Sequence, residues 1–136
     1  MRQIYTLSHS DAMQIITAIQ QELDKDHKGA AIAVADEHGE LIAFLRTDAC
    51  PLQSGTIAMN KAFTAARERK ESIEIGIASR KDGFPITNYG DPRIIGWGGG
   101  VPIIYEGKVI GAVGVSGLPE AEDIQLAKMG VAALWS

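Results

Sequence analysis

The segment Gly98–Gly117, GGGVPIIYEGKVIGAVGVSG, decides the fold. It reads as two strands, Val101–Tyr105 and Lys108–Ser116, joined by the tight turn Glu106-Gly107, and a two-residue connection of this kind closes a β-hairpin. Hairpin strands pair antiparallel. Gly98, Gly99 and Gly100 precede a strand, whereas the dinucleotide fingerprint needs its glycines between a strand and a helix N-terminus. Gly107-Lys108 runs into Val109, so there is no P-loop. Gly111, Gly114 and Gly117 recur at every third residue. Glycine weakens a strand unless something must approach closely. Two readings stay open: a bulge or a tightly packed helix, and a ligand or second subunit lying flat against this backbone.

Upstream, Ala30–Ala35 reads AAIAVA, apolar on both faces, which suits a strand covered on both sides. Asp36-Glu37-His38-Gly39 is a turn, and Glu40–Arg46 is the returning strand of a first hairpin. Residues 8–28 predict a helix with Ala12, Ile15, Ile16, Ile19 and Leu23 on one stripe. Ser8 and Asp11 suit a capping box. Thr56–Arg69 predicts a second helix, rich in alanine and therefore buried. Ser72–Ser79 predicts a short third helix, and Pro119 opens a last one with Ile124, Ala127, Val131 and Leu134 inward. Between them Asp82–Pro92 is a long loop, and Arg93–Trp97 is expected as a short strand. Helices on both faces of an antiparallel sheet make this an α+β, three-layer α/β/α sandwich with a meander-like sheet of five strands.

A chain of 136 residues fits one domain, 1–136, that can bury a core without disulfides. Cys50 stands alone, so no intrachain disulfide forms. The net charge of −4 argues against a nucleic-acid partner. Arg67, Arg69 and Lys70, interrupted by Glu68 and followed by Glu71, read as a solvated helix end. No apolar run reaches signal-peptide or membrane-spanning length, so the expected location is the cytoplasm, with no membrane partner.

Lys61 and Thr64 share a face of the alanine-rich helix. Lysine is rare in such surroundings unless its ammonium is paired or reaches a pocket. Asp48 and Asp123 are candidate partners for Lys61 or Arg46. Ser116-Gly117, just before the last helix, offers a hydroxyl and backbone N–H donors to an anion. His9, His27 and His38 form no close pair, so no zinc or other metal site is expected. A single histidine can still ligate haem iron. No Ser/His/Asp set and no glutamate pair is visible by spacing.

Taken in order, IAVADEHGELIAFLRTDAC (Ile32–Cys50), NKAFTAA (Asn60–Ala66), GGVPIIYEGKVIGAVGVSG (Gly99–Gly117) and EDIQLAKMG (Glu122–Gly130) resemble the GlcG-like, haem-degrading family, which includes HbpS-like and PduO C-terminal-like domains. The resemblance covers nearly the whole chain. It implies a profilin-like fold with a five-stranded antiparallel sheet, homo-oligomers, and a role beside glycolate or glycerol/propanediol catabolism. It also implies haem or a related tetrapyrrole or corrinoid as ligand. Lys61, Thr64, Gly99, Gly100, Pro102, Ser116, Gly117 and Asp123 match its motifs, and with Val101 and Asp48 they are the expected ligand-binding residues. The haem-ligating histidine of the PduO-type domain lies in or near the first helix. In Ile16–Gly29 the only histidine is His27, which makes it the haem-ligand candidate. Two further readings stand beside the binding protein. One is an enzyme acting on a small anionic hydroxy acid or carbonyl compound, with Lys61 as the reactive group. The other is an oligomeric accessory protein.

Overall fold

The computed structural model describes residues 1–136. Helix α1 spans His9–Lys25 and starts as a capping box: Ser8 Oγ accepts from the Asp11 N–H at 3.1 Å, and Asp11 Oδ2 accepts from the Ser8 N–H at 3.0 Å. It ends three residues before the expected Lys28, because His27 turns into the left-handed region at φ 54°. Strands β1 (Ala31–Asp36) and β2 (Leu41–Arg46) form the first hairpin. Helices α2 (Ser54–Glu68) and α3 (Ser72–Lys81) follow, then a short 3₁₀ turn at Ile86–Tyr89. The second hairpin is β3 (Gly100–Tyr105) with β4 (Lys108–Ser116), and α4 (Glu120–Ala133) closes the chain.

The sheet has four strands in the order β2-β1-β4-β3, all antiparallel. The expected five-stranded meander is therefore corrected twice. The two hairpins sit side by side through β1 and β4, so the strand order is not the chain order. The fifth strand is missing because Arg93–Trp97 has other partners for its backbone. Thr64 Oγ1 donates to the Arg93 carbonyl at 3.1 Å and accepts from the Ile95 N–H at 3.0 Å. Ser72 Oγ donates to the Trp97 carbonyl at 2.7 Å and accepts from the Gly100 N–H at 2.9 Å. Buried backbone groups must be paired, and here helix side chains replace a neighbouring strand.

The alternation of β1 separates the two faces. Ile32 and Val34 join Ile15, Ile19, Val113 and Val115 in the main core under α1 and α4. Ala31, Ala33 and Ala35 meet Ala58 and Ala62 of α2 on the other face. One face is thus packed with large side chains and the other with small ones. The small face lets α2 come close, and two glycines set how close. Gly100 and Gly114 are register partners on β3 and β4. A Cβ on Gly114 would run into the Ala58 carbonyl oxygen and lie 2.6 Å from the Ala62 nitrogen. A Cβ on Gly100 would lie 2.8 Å from the Lys61 carbonyl carbon. Between the two open readings of the glycines, these two positions receive a helix of the same chain. No helix is long and apolar enough to cross a membrane.

Candidate functional site

The close seating of α2 delivers Lys61 to the end of β4, where the chain leaves the sheet and enters α4. Lys61 Nζ donates to the Val115 carbonyl at 2.9 Å and to Asp123 Oδ2 at 3.2 Å. Both side chains are only 4% exposed. Asp123 sits in the first turn of α4, and its Oδ1 accepts from the Leu118 N–H at 3.1 Å. The expected anion for Lys61 is therefore supplied by the chain itself, and Asp123, not Asp48, is the partner. Burial drives both groups toward neutrality: desolvation lowers the Lys61 pKa against the pull of Asp123, and desolvation raises that of Asp123 against the pull of Lys61.

This pair floors an open cleft of about 600 Å³. Ser116 and Gly117 form one wall, Ser54 and Ile57 of α2 another. Trp97, 59% exposed, and the exposed Arg80 of α3 also line the cleft. Glu120 lies there too, but its Oε2 accepts from the Gly98 N–H at 2.8 Å, which ties the Trp97-Gly98 loop to α4. Ser116, 5% exposed as a residue, lines this cleft, and its hydroxyl has no hydrogen bond within the chain.

Of the expected residues, Lys61, Ser116, Gly117 and Asp123 line this one cleft. Thr64 does not; its hydroxyl is spent on Arg93 and Ile95. Gly99, Gly100, Val101 and Pro102 do not line it either. Gly99 comes nearest, since a Cβ there would be 2.9 Å from Lys61 Nζ. Asp48 and His27 line a separate polar cleft of about 640 Å³, together with Arg46 and Lys28. His27 is exposed on that surface, and Lys28 is paired with Glu122 at 2.6 Å. Trp97, Arg80 and Ser54 were not foreseeable from spacing. The one available signal was a tryptophan placed directly before three glycines. Cys50 packs on the alanine face near this cleft, and burial pushes its thiol pKa up.

Comparison with known proteins gives consistent relatives. The family model described as haem degrading protein HbpS-like matches residues 7–132. Protein GlcG of Escherichia coli strain K12 is 39% identical over 112 residues, 81% of each chain. The crystal structure of Klebsiella pneumoniae protein ORFY is similar with a TM-score of 0.93 at 29% identity, covering 100% of this chain and 95% of that one. A double mutant of Streptomyces reticuli HbpS gives 0.88 at 28% identity, over 98% and 90% of the chains. The haem complex of PduOC shares the fold, with a TM-score of 0.84 at 22% identity over 94% of each chain.

Proposed function

This chain belongs to the family of haem-degrading, HbpS-like proteins, and from that premise we propose that it binds a flat, anionic small molecule in the Lys61–Asp123 cleft, haem, as in the PduOC complex, or a related tetrapyrrole. One observation carries the reading: an exposed indole and an exposed guanidinium, Trp97 and Arg80, line the same cleft over a neutralised floor. A ring system can lie on the indole face, and a propionate can pair with the guanidinium. Lys61 does not supply that charge, because Asp123 already holds it. The lining fits the ring and its carboxylates. It includes no His, Cys, Met or Tyr to ligate iron. Haem, when bound, would bring its iron chemistry; the residues of this cleft hold and orient the ring. His27, in the other cleft, is the alternative anchor.

Titration of haemin with the Soret band as readout tests this. A saturable one-to-one change is expected, weakened at least about tenfold by Trp97→Ala, the loss of about 1.4 kcal/mol of ring contact, and unaffected by His27→Ala. No saturable change rejects the tetrapyrrole. Loss with His27→Ala alone moves the site to the second cleft. The wider reading, a cytoplasmic homo-oligomer serving small-metabolite catabolism, rests on the family resemblance and on no contact in the fold.

A further inference from the structure

We infer that Lys61 is a carbonyl-reactive amine, which condenses with short aldehydes or 2-oxo acids entering the cleft and holds the resulting imine against Asp123. The inference uses the same cleft as the binding reading but needs no tetrapyrrole in it.

Three observations converge. First, Lys61 is the only one of the chain's seven lysines that is buried; Lys25, Lys28, Lys70, Lys81, Lys108 and Lys128 are exposed. An ammonium has three N–H donors, and the chain accepts two of them, at Val115 and Asp123. The remaining position has no acceptor within the chain, and the cleft lies against this residue. Second, Asp123 is a buried carboxylate 3.2 Å away. Burial lowers the pKa of one partner and raises that of the other, so both shifts favour handing the proton from nitrogen to oxygen. A free amine can thus form without waiting for solvent. Third, Ser116 supplies a cleft-lining hydroxyl with no partner in the chain, suited to a carbonyl or carbinol oxygen, while Arg80 lines the same cleft and suits a carboxylate.

The step balances without a co-reactant. Lys61 passes a proton to Asp123. The amine lone pair attacks the carbonyl carbon, the C–N bond forms, and the C=O π pair moves to oxygen. That oxygen takes the proton from Asp123. Asp123 then accepts a proton from nitrogen and returns it to the departing hydroxyl. The nitrogen lone pair closes the C=N bond, and water leaves. Lysine ammonium plus carbonyl has become iminium plus water, and the Asp123 carboxylate remains as counter-ion.

The test is reductive trapping of the wild-type protein with glyoxylate and cyanoborohydride at pH 7, read by peptide mass mapping. The six exposed lysines serve as internal references. Lys61 is expected to label several-fold faster than they do, because a lowered amine pKa leaves more free base at pH 7. Asp123→Asn removes the pull that raises the Lys61 pKa, so the Lys61 labelling profile is expected to move to lower pH while the far-ultraviolet circular dichroism stays native. Arg80→Gln is expected to slow labelling by glyoxylate but not by acetaldehyde. Labelling of Lys61 no faster than that of the surface lysines overturns the inference. So does a labelling profile that Asp123→Asn leaves in place or moves to higher pH. The haemin titration reads a different event, so either result can fail without the other.

Discussion

Gly114→Ala adds one methyl group at the place where α2 lies nearest the sheet. Its Cβ would meet the Ala58 carbonyl oxygen head-on and sit 2.6 Å from the Ala62 nitrogen, where ordinary contact begins at 3.4 Å. The helix must therefore retreat by at least about 0.8 Å, and the obstacle is backbone, which cannot rotate away. A gap of about 0.5–1 Å forfeits a quarter to a half of each dispersion contact, here along the alanine face of Ala31, Ala33, Ala35, Ala58 and Ala62. That places the cost at the upper end of overpacking, about 3 kcal/mol, or a fall in Tm of about 10 °C for a chain of this size. Gly107→Ala is the control. Gly107 has φ +75° and nothing within 4 Å of an added Cβ, so only backbone strain of about 1 kcal/mol applies. Urea unfolding of both variants, with unchanged m, should rank Gly114→Ala well below Gly107→Ala. Equal stability, or the reverse order, would refute helix seating as the reason for glycine at position 114.

Three further outcomes follow from the same contacts. Lys61→Met leaves the Asp123 carboxylate buried without its counter-charge and should cost about 3–5 kcal/mol, whereas Lys61→Met with Asp123→Asn should cost at least about 1 kcal/mol less than the two singles summed; strict additivity in a urea-unfolding cycle would contradict the pairing. Ser72→Ala strips the partner from the Gly100 N–H and the Trp97 carbonyl, so stability should fall by about 1–3 kcal/mol and the Gly100 amide should exchange faster; an unchanged exchange rate counts against the bridge. Because burial raises the Cys50 pKa, less thiolate is present at any given pH. Its alkylation by iodoacetamide should be slower at pH 8 than in the urea-unfolded chain, with a rate profile displaced to higher pH, and equal rates would show the thiol to be unperturbed.

Much of this arrangement is legible in the residues because it is local. The α1 stripe, the Ser8–Asp11 capping box and both hairpin turns depend on neighbours within a few positions. The doubly apolar AAIAVA segment announces an inner strand, and β1 is one. What the residues do not announce is long-range choice. Arg93–Trp97 has a strand's composition, yet hydroxyls 29 and 25 positions earlier in the chain take its backbone groups. Likewise nothing local tells β1 to lie against β4. In the cleft, Lys61 stands out because a lysine amid alanines is costly, and Asp123 emerges as its partner from a short list. Thr64 carries the same sequence signal and proves to be a strut. Arg80 carries no pattern at all, and Trp97 only its place directly before three glycines, because a rim needs only exposure.

The edge-to-face contact of Tyr5 with Tyr105, at 5.0 Å, and the stacking of Tyr105 on Trp135, at 5.6 Å, bring Tyr5 and Trp135 onto one hairpin. The beginning and end of the polypeptide are then neighbours in space, and the order in which its elements are synthesised is a detail of connectivity. A short flexible linker between Ser136 and Met1, with new ends opened in the exposed stretch around Gly83, should yield a circular permutant that keeps the sheet, the α2 seat and the Lys61–Asp123 floor intact.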